Sequence, residues 1–352
     1  MQREKPATIA GASLPGRHET RPAAEWIALS DLPPQSAMSG ALSHGLFICE
    51  VALPPGAHAL LLDWQPDSQP KRTFSVYLDA GRGLSLLQRQ GAGVQRKTLP
   101  GPLPGDRGTA RILYGWNQQA DRWFLSYAQI DTQTELRVDG RGPILPTMED
   151  LAAICRSDGG GLRHPALLWF GITQGEAPPR HAPWIGPRTP IDTARGPVAA
   201  GNLRPGDMVI TADRGLYPVR HVTRQVLPGR GSFAPVILRA PFLGQGCDIL
   251  ASADQPVALS GPEVEYMFGT EEVLLPLGAL ADGRMARAET GRSLVEGVAI
   301  DLGAPRLLLA DGLPLLSHGT QGPLPRPLLA PWEAQQLVTL LSRRSRHGAT
   351  RR

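Results

Sequence analysis

The sequence is poor in cysteine, and this scarcity excludes the kinds of site that depend on clustered thiols. Its three cysteines, Cys49, Cys155 and Cys247, are far apart in the chain and odd in number. Without a C-x-x-C pair, neither a structural zinc site nor a disulfide framework is expected. We therefore expect no metal and no other cofactor.

The chain also lacks any apolar run long enough to cross a bilayer, which takes about 18 residues or more. The first 22 residues, MQREKPATIAGASLPGRHETRP, contain no apolar segment of the kind found in signal peptides. The sequence thus predicts no membrane span and no cleavable signal peptide. The expected location is then either the cytoplasm or, by a non-classical export route, the outside of the cell.

Lysine is rare as well, so the positive charge comes almost entirely from arginine, as in proteins from GC-rich bacterial genomes. The net charge is +4, and the last ten residues, RRSRHGATRR, hold five arginines and no acid, which leaves −1 for the rest of the chain. No basic stripe with interleaved aromatics, zinc finger or helix-turn-helix motif occurs, so no nucleic-acid partner is expected. The tail is either a solvated terminus or a contact for an anionic surface, through Arg343, Arg344, Arg346, Arg351 and Arg352.

Glycine and proline are abundant, with 40 and 35 residues, and lie between short apolar stretches. This arrangement predicts many turns and short strands. Strands are predicted over 45–53, 58–64, 72–79, 83–90, 166–173 and, as a hairpin turning near Gln118, over 110–130. Thr147 is placed to cap a short helix over 147–155. The pattern is typical of an antiparallel β-sandwich.

The character of the chain changes after residues 174–183, QGEAPPRHAP, which predict a proline-rich linker. Such a linker lets its two neighbours move independently unless they share an interface. Further strands are predicted over 207–222, as a hairpin, and over 233–240, 247–252, 272–280, 295–302 and 305–312, with a helix over 331–346. The expected organisation is a disordered segment 1–22, a sandwich 23–173, the linker 174–183, a second β-rich domain 184–320, and a helix with a basic tail 321–352.

Several blocks of the second domain follow one another in a recognisable order. They are WIGPRTPIDTARG (184–196), LRPGDMVITADRG (203–215), PVILRAPFLG (235–244), DILASADQPVAL (248–259), EVEYMFGTEEVLLPLGAL (263–280) and LLLADGLPLLSHG (307–319). In order and spacing they resemble the Hint domain, the fold shared by inteins and the Hedgehog autoprocessing region. Among Hint domains, these motifs most resemble those of the bacterial variants common in alphaproteobacteria. The resemblance implies an all-β fold.

The resemblance also implies a chemistry, which is cleavage of the domain's own chain. A cysteine or serine at the first residue attacks the preceding carbonyl, a histidine protonates the departing amide nitrogen, and a threonine or serine orients the bond. Here the first position matches Trp184, which has no nucleophilic atom. Ser252 stands at the orienting position, and Gln255 replaces the histidine. The interpretation is a degenerate Hint domain, inactive in processing, with a binding or scaffolding role.

Two alternatives stay open at this stage. In the first, self-cleavage survives through a nonstandard nucleophile such as Thr189 or Cys247, and the chain is an enzyme acting on itself. In the second, the sandwich is a carbohydrate-binding module, since its hairpin resembles the concanavalin-like lectin and laminin-G folds. Its tryptophans would then stack on sugars, although tryptophans in strands are more often core residues. The partner is accordingly a protein or a glycan, and the sequence does not say which.

Overall fold

The structure is a computed structural model that describes residues 26–32, 39–56, 58–67, 69–156, 161–175, 177–179, 182–319 and 322–349, the last eight of these without their side chains. The predicted segment 1–22 lies outside the described residues, as do Arg351, Arg352 and the side chains of Arg343, Arg344 and Arg346.

The first part of the chain is a sandwich of two antiparallel sheets. The six-stranded sheet has the order β1-β11-β2-β7-β8-β9, and the five-stranded sheet the order β10-β3-β4-β5-β6. The strands are β1 Trp26–Leu29, β2 His44–Leu53, β3 Ala59–Trp64, β4 Arg72–Asp79, β5 Gly83–Gln90, β6 Gly93–Pro100, β7 Gly108–Asn117, β8 Arg122–Gln129, β9 Thr134–Arg141, β10 Leu162–Arg163 and β11 Leu167–Thr173, with helix α1 Met148–Cys155 before β10.

Alternation along each strand sends one set of side chains between the two sheets. On β2, Phe47, Cys49 and Val51 point into this core, where they meet Leu62 and Phe74 from the opposite sheet. The intervening residues of β2 are buried as well, because the second part of the chain covers the outer face of the sheet. A central strand buried on both faces has a nearly continuous apolar sequence, as GLFICEVAL does apart from Glu50.

The second part is built from short antiparallel strands in three sheets. They are β12 Pro190–Thr193, β13 Gly196–Ala199, β14 Met208–Ile210, β15 Leu216–Pro218, β16 His221–Pro228, β17 Val236–Leu238, β18 Ile249–Ala251, β19 Pro256–Ser260, β20 Glu272–Pro276, β21 Ala286–Ala288, β22 Leu294–Asp301, β23 Leu307–Ala310 and β24 Leu313–Leu316, with helices α2 Pro262–Phe268 and α3 Pro331–Ala349. The largest sheet has the order β15-β14-β12-β23-β24-β19-β20, with β13 beside β12; β16 pairs with β22, and β17 lies between β18 and β21.

Most of the predicted elements are present, and the differences have physical reasons. Thr147 caps α1 as predicted, since its hydroxyl accepts a hydrogen bond from the Asp150 backbone N–H at 3.2 Å. Strands β6 and β9 were missed because their side chains are largely polar and half of each strand faces solvent. The predicted strand 272–280 ends at Pro276, and a short 3₁₀ turn follows over Leu277–Leu280.

No helix in the described part of the chain combines the length and the hydropathy needed to cross a bilayer. Among the same residues, no group of three or more histidine, cysteine, aspartate or glutamate side chains is arranged to hold a metal ion.

Candidate functional site

The segment that begins at Trp184 is held between two strands of the second part. Ile185 exchanges backbone hydrogen bonds with Val298 of β22, at 3.0 and 2.8 Å. On its other side, the Gly186 N–H donates to the carbonyl of Leu250 in β18 at 2.7 Å. The peptide bond between Pro183 and Trp184, called the junction below, therefore lies next to a backbone segment that is hydrogen-bonded on both sides.

The Trp184 side chain is buried, with 1% of its surface exposed. It packs with Leu227 of β16 and Val295 of β22. A glycine in β22 makes room for the indole, because a Cβ atom on Gly297 would lie 2.6 Å from Trp184 Cδ2. The ring is thus a packing residue, and it brings no nucleophilic atom to the junction.

Ser252 is the side chain that contacts the peptide nitrogen of the junction. Its hydroxyl accepts a hydrogen bond from the Trp184 N–H at 3.1 Å, and its own N–H donates to the Trp184 carbonyl at 2.9 Å. The sequence-based expectation had placed Ser252 near this bond, and the structure brings the two together. A hydroxyl in this position orients the amide without supplying a proton at neutral pH.

Gln255 is buried close by, and its amide is used for structural hydrogen bonds. The Nε2 group donates to the carbonyls of Leu316, at 2.8 Å, and Pro256, at 3.1 Å. A void of about 10 Å³, close to the smallest volume that holds one water molecule, lies between Pro183, Gln255 and His318.

Of the two candidate replacement nucleophiles, Thr189 is buried, and its backbone bonds to Gly186 and Ala200 hold the turn before β12. Burial raises the pKa of the Cys247 thiol, as does its hydrogen bond to Asp311. The same hydrogen bond, together with backbone N–H donors, lowers the pKa of the Asp311 carboxyl. A thiol with a raised pKa is a poorer nucleophile near neutral pH.

The tryptophans of the sandwich are buried or half-buried. Trp64, Trp116 and Trp169 are buried, and Trp26 and Trp123 are half-buried. The Trp116 indole N–H donates to the Leu42 carbonyl, at 2.8 Å. The Trp123 N–H likewise donates to a carbonyl, that of Arg141, at 3.1 Å. The prediction that strand tryptophans belong to the core is confirmed for the three buried residues.

One part of the molecule was missed by sequence reasoning. Glu50 lies in the apolar run of β2 and is fully buried, and its carboxylate accepts hydrogen bonds from Ser232 in the second part of the chain. A single acid inside a strand that is otherwise apolar was the available signal. The partner could not be found from sequence, because the two residues are 182 positions apart.

A comparison with protein families matches residues 186–319 to the Hint domain. Among curated proteins, no sequence matches this chain. The match begins two residues after Trp184, so the family assignment does not depend on that residue.

Solved structures similar to each part of the chain were also found. The gp41-1 intein is 13% identical, with 39% of this chain and 100% of the intein covered and a TM-score of 0.26. The basic winged bean lectin with Tn-antigen is 12% identical, with 42% and 66% covered and a TM-score of 0.22. Domains LG4-5 of the mouse laminin alpha1 chain are 12% identical, with 88% and 83% covered and a TM-score of 0.26. The predicted fold class, a lectin-like β-sandwich followed by a Hint-type unit, is confirmed.

Proposed function

Because residues 186–319 form a Hint domain, we propose that this chain has kept the Hint fold without self-cleavage and uses it as a scaffold for the sandwich. The observation that supports this proposal is Trp184, a buried indole at the position where the family has its nucleophile. The linker 174–183 and the division of the chain on either side of it are part of the same proposal.

The chemistry of the junction explains why cleavage is lost. An acyl shift needs an attacking oxygen or sulfur one residue beyond the scissile carbonyl, and Trp184 offers none. It also needs a proton for the departing amide nitrogen. Loss of general acid–base help alone slows such reactions by roughly 10²–10⁴-fold, and the Gln255 amide already donates to two carbonyls. Only the orienting group, Ser252, is in contact with the bond.

The test is intact-mass spectrometry of the purified chain before and after long incubation with dithiothreitol or hydroxylamine. These small nucleophiles trap any thioester or ester that forms. We expect one unchanged mass, equal to the full 37.7 kDa chain. A pair of fragments that meet near Pro183 would overturn the proposal.

A gain-of-function variant serves as the positive arm of this experiment. The double substitution Trp184→Cys with Gln255→His restores both missing groups, and we expect it to give hydroxylamine-dependent fragments. The matched control, Trp184→Ala with Gln255→His, leaves a similar cavity and the same histidine but has no thiol, so it should stay intact. Cleavage of that control would show that another residue is the nucleophile.

Under this proposal the sandwich is the part that meets the partner, a protein or a glycan. A carbohydrate-binding role would use, at most, the partly exposed Trp26 and Trp123, because the other three sandwich tryptophans are buried.

A further inference from the structure

The outer face of the six-stranded sheet is apolar, and the second part of the chain covers it. Leu46 and Ile48 of β2 lie on this face with Trp169 of β11. Phe233 and Leu294, both from the second part, pack against them. An exposed apolar face of this kind is unfavourable in water, so its burial favours contact between the two parts.

A buried carboxylate fixes the position of this contact. The Arg111 guanidinium donates to Glu50 Oε1 at 2.7 and 3.0 Å, and the Trp169 indole N–H donates to Oε2 at 3.0 Å. Ser232 completes the set from the second part, its N–H and hydroxyl donating at 2.7 and 2.6 Å. Because a buried charge is tolerated only when it is well paired, removing the Ser232 donors would leave Glu50 partly unsatisfied.

The turn that carries Ser232 needs a glycine in order to approach so closely. Gly231 has a φ of +65°, and a Cβ atom there would lie 2.2 Å from Glu50 Oε2. This is the GRGS stretch of residues 229–232, which has no lysine or following helix for phosphate binding. It contacts a carboxylate of the sandwich instead.

Phe233 connects this turn to the altered junction. Its ring stands edge-on to Trp169, at a centroid distance of 5.1 Å, and to Trp26, at 6.4 Å. It also packs against the cluster that contains Trp184, Leu227 and Val295. Phe233 therefore packs against the aromatic residues of the sandwich and against the cluster to which Trp184 belongs.

We propose that Trp184 now serves as a docking anchor: it supports Phe233, the Gly231–Phe233 turn binds the Glu50 face of the sandwich, and the two parts stay associated when the connecting chain is cut. The surface formed by Trp26, Glu50, Arg111 and Trp169 is the receptor, and the turn of the same chain is its ligand. The inference is independent of whether the chain cleaves itself.

The experiment is to insert a specific protease site between Arg180 and His181 of the full-length chain and to cut it after folding. The fragments are then diluted to submicromolar concentration and examined by size-exclusion chromatography and by light scattering. We expect them to elute together at the mass of the intact chain. Separation of the wild-type fragments at this concentration would overturn the proposal.

Variants of the turn show whether the docking surface is the one proposed. Phe233→Ala should weaken the association roughly a hundredfold, as loss of a central aromatic anchor does. Phe242→Ala is the matched control, because this phenylalanine of the second part is 40% exposed. Gly231→Ala should also separate the fragments, whereas Gly269→Ala, at the same φ of +65° but with no atom within 4 Å of the added Cβ, should not.

The role of Trp184 is tested by its dependence on Phe233. Trp184→Leu should weaken the association about tenfold, but should add little once Phe233 is alanine, since it acts through that ring. Fully additive effects, or equal behaviour of Gly231→Ala and Gly269→Ala, would contradict the proposal. Far-UV circular dichroism of each cut variant confirms that both fragments remain folded.

Discussion

At the scale of single residues, the proposed loss of self-cleavage rests on two side chains. Trp184 has no nucleophilic atom, and Gln255 is an amide at the position where the Hint resemblance calls for a histidine. Both side chains are buried. Gly297 leaves room for the Trp184 ring, and the carbonyls of Pro256 and Leu316 accept hydrogen bonds from the Gln255 amide. Both residues therefore contribute to the packing of the second part.

A second residue-scale feature is the buried Lys97 in the core of the sandwich. Its ammonium donates to the side-chain oxygens of Gln88, at 2.7 Å, and Gln95, at 2.9 Å, and lies 5.0 Å from the Tyr114 ring centroid. Burial lowers the pKa of Lys97 from 10.5 to about 8.

This lowered pKa predicts how stability depends on pH. Between about 8 and 10.5 the unfolded chain binds more protons at this lysine than the folded chain does, so the free energy of unfolding gains a term that rises with pH. Lys97→Met removes that term. We expect its stability relative to the wild type to fall by about 2 kcal/mol across this window. Buried Cys49 and Tyr114 titrate in both proteins and cancel in the difference.

The measurement is urea unfolding of both proteins at either end of the window. Lys71→Met, which removes an exposed lysine, is measured in parallel as the control for the loss of one positive charge. A stability difference between Lys97→Met and wild type that does not vary with pH would contradict the prediction.

At the scale of elements, β22 connects the junction to the interface. It pairs along its length with β16, and its Val298 holds Ile185 in place. Its first residue, Leu294, packs against the sandwich, and its Gly297 accommodates the Trp184 ring. One strand thus supports both the altered junction and the docking surface.

Gly297→Ala tests this connection. The added Cβ would lie 2.6 Å from Trp184 Cδ2, so the ring or the strand must move. Overpacking of this kind typically costs about 1–3 kcal/mol. We expect destabilisation in that range in urea unfolding. Gly93→Ala, in strand β6, is the control, because its nearest neighbour is an ordinary 3.4 Å away. Equal effects of the two substitutions would show that Trp184 is not held tightly against β22.

At the scale of the whole molecule, the two parts share an interface, which is the condition under which the linker was not expected to let them move independently. A proline-rich connection alone predicts two units that move independently. The contact through Glu50, Ser232 and Phe233 instead joins a sheet of the sandwich to the second part. A cleft of about 310 Å³ lies beside it, lined by Trp26, Pro178 and Asp254 among others, so the linker passes along the same surface.

The unfolding of the intact chain should reflect this coupling. When an interface buries apolar surface, each unit stabilises the other, and their unfolding becomes more cooperative. We expect a single calorimetric transition for the wild type and two resolved transitions for Phe233→Ala. Phe242→Ala should keep the single transition. Two transitions already present in the wild type would indicate that the docking contact contributes little to stability.

The sequence by itself determined much of the local structure and the residue types on which the proposed loss of cleavage rests. Short apolar stretches between turn signals were sufficient for β2, β4 and β5, alternation for β7 and β8, and Thr147 for the start of α1, since these depend on neighbours in the chain. The residue type on which the proposed loss of cleavage rests was also readable, because no fold gives Trp184 a nucleophilic atom. Helix α2 was missed although Pro262 and Gly269 mark its two ends, as proline and glycine commonly do.

Only the tertiary structure decided how the two parts of the chain meet. Three contacts join residues that are far apart in sequence. They are the buried hydrogen bonds of Glu50, the close approach of Gly231, and the packing of Phe233 against the Trp169 cluster and the Trp184 cluster. Alternation places Glu50 on the outer face of its sheet, but it cannot say whether that face meets water or protein. That choice depends on how two separately patterned surfaces fit together, which is a property of shape and not of local sequence.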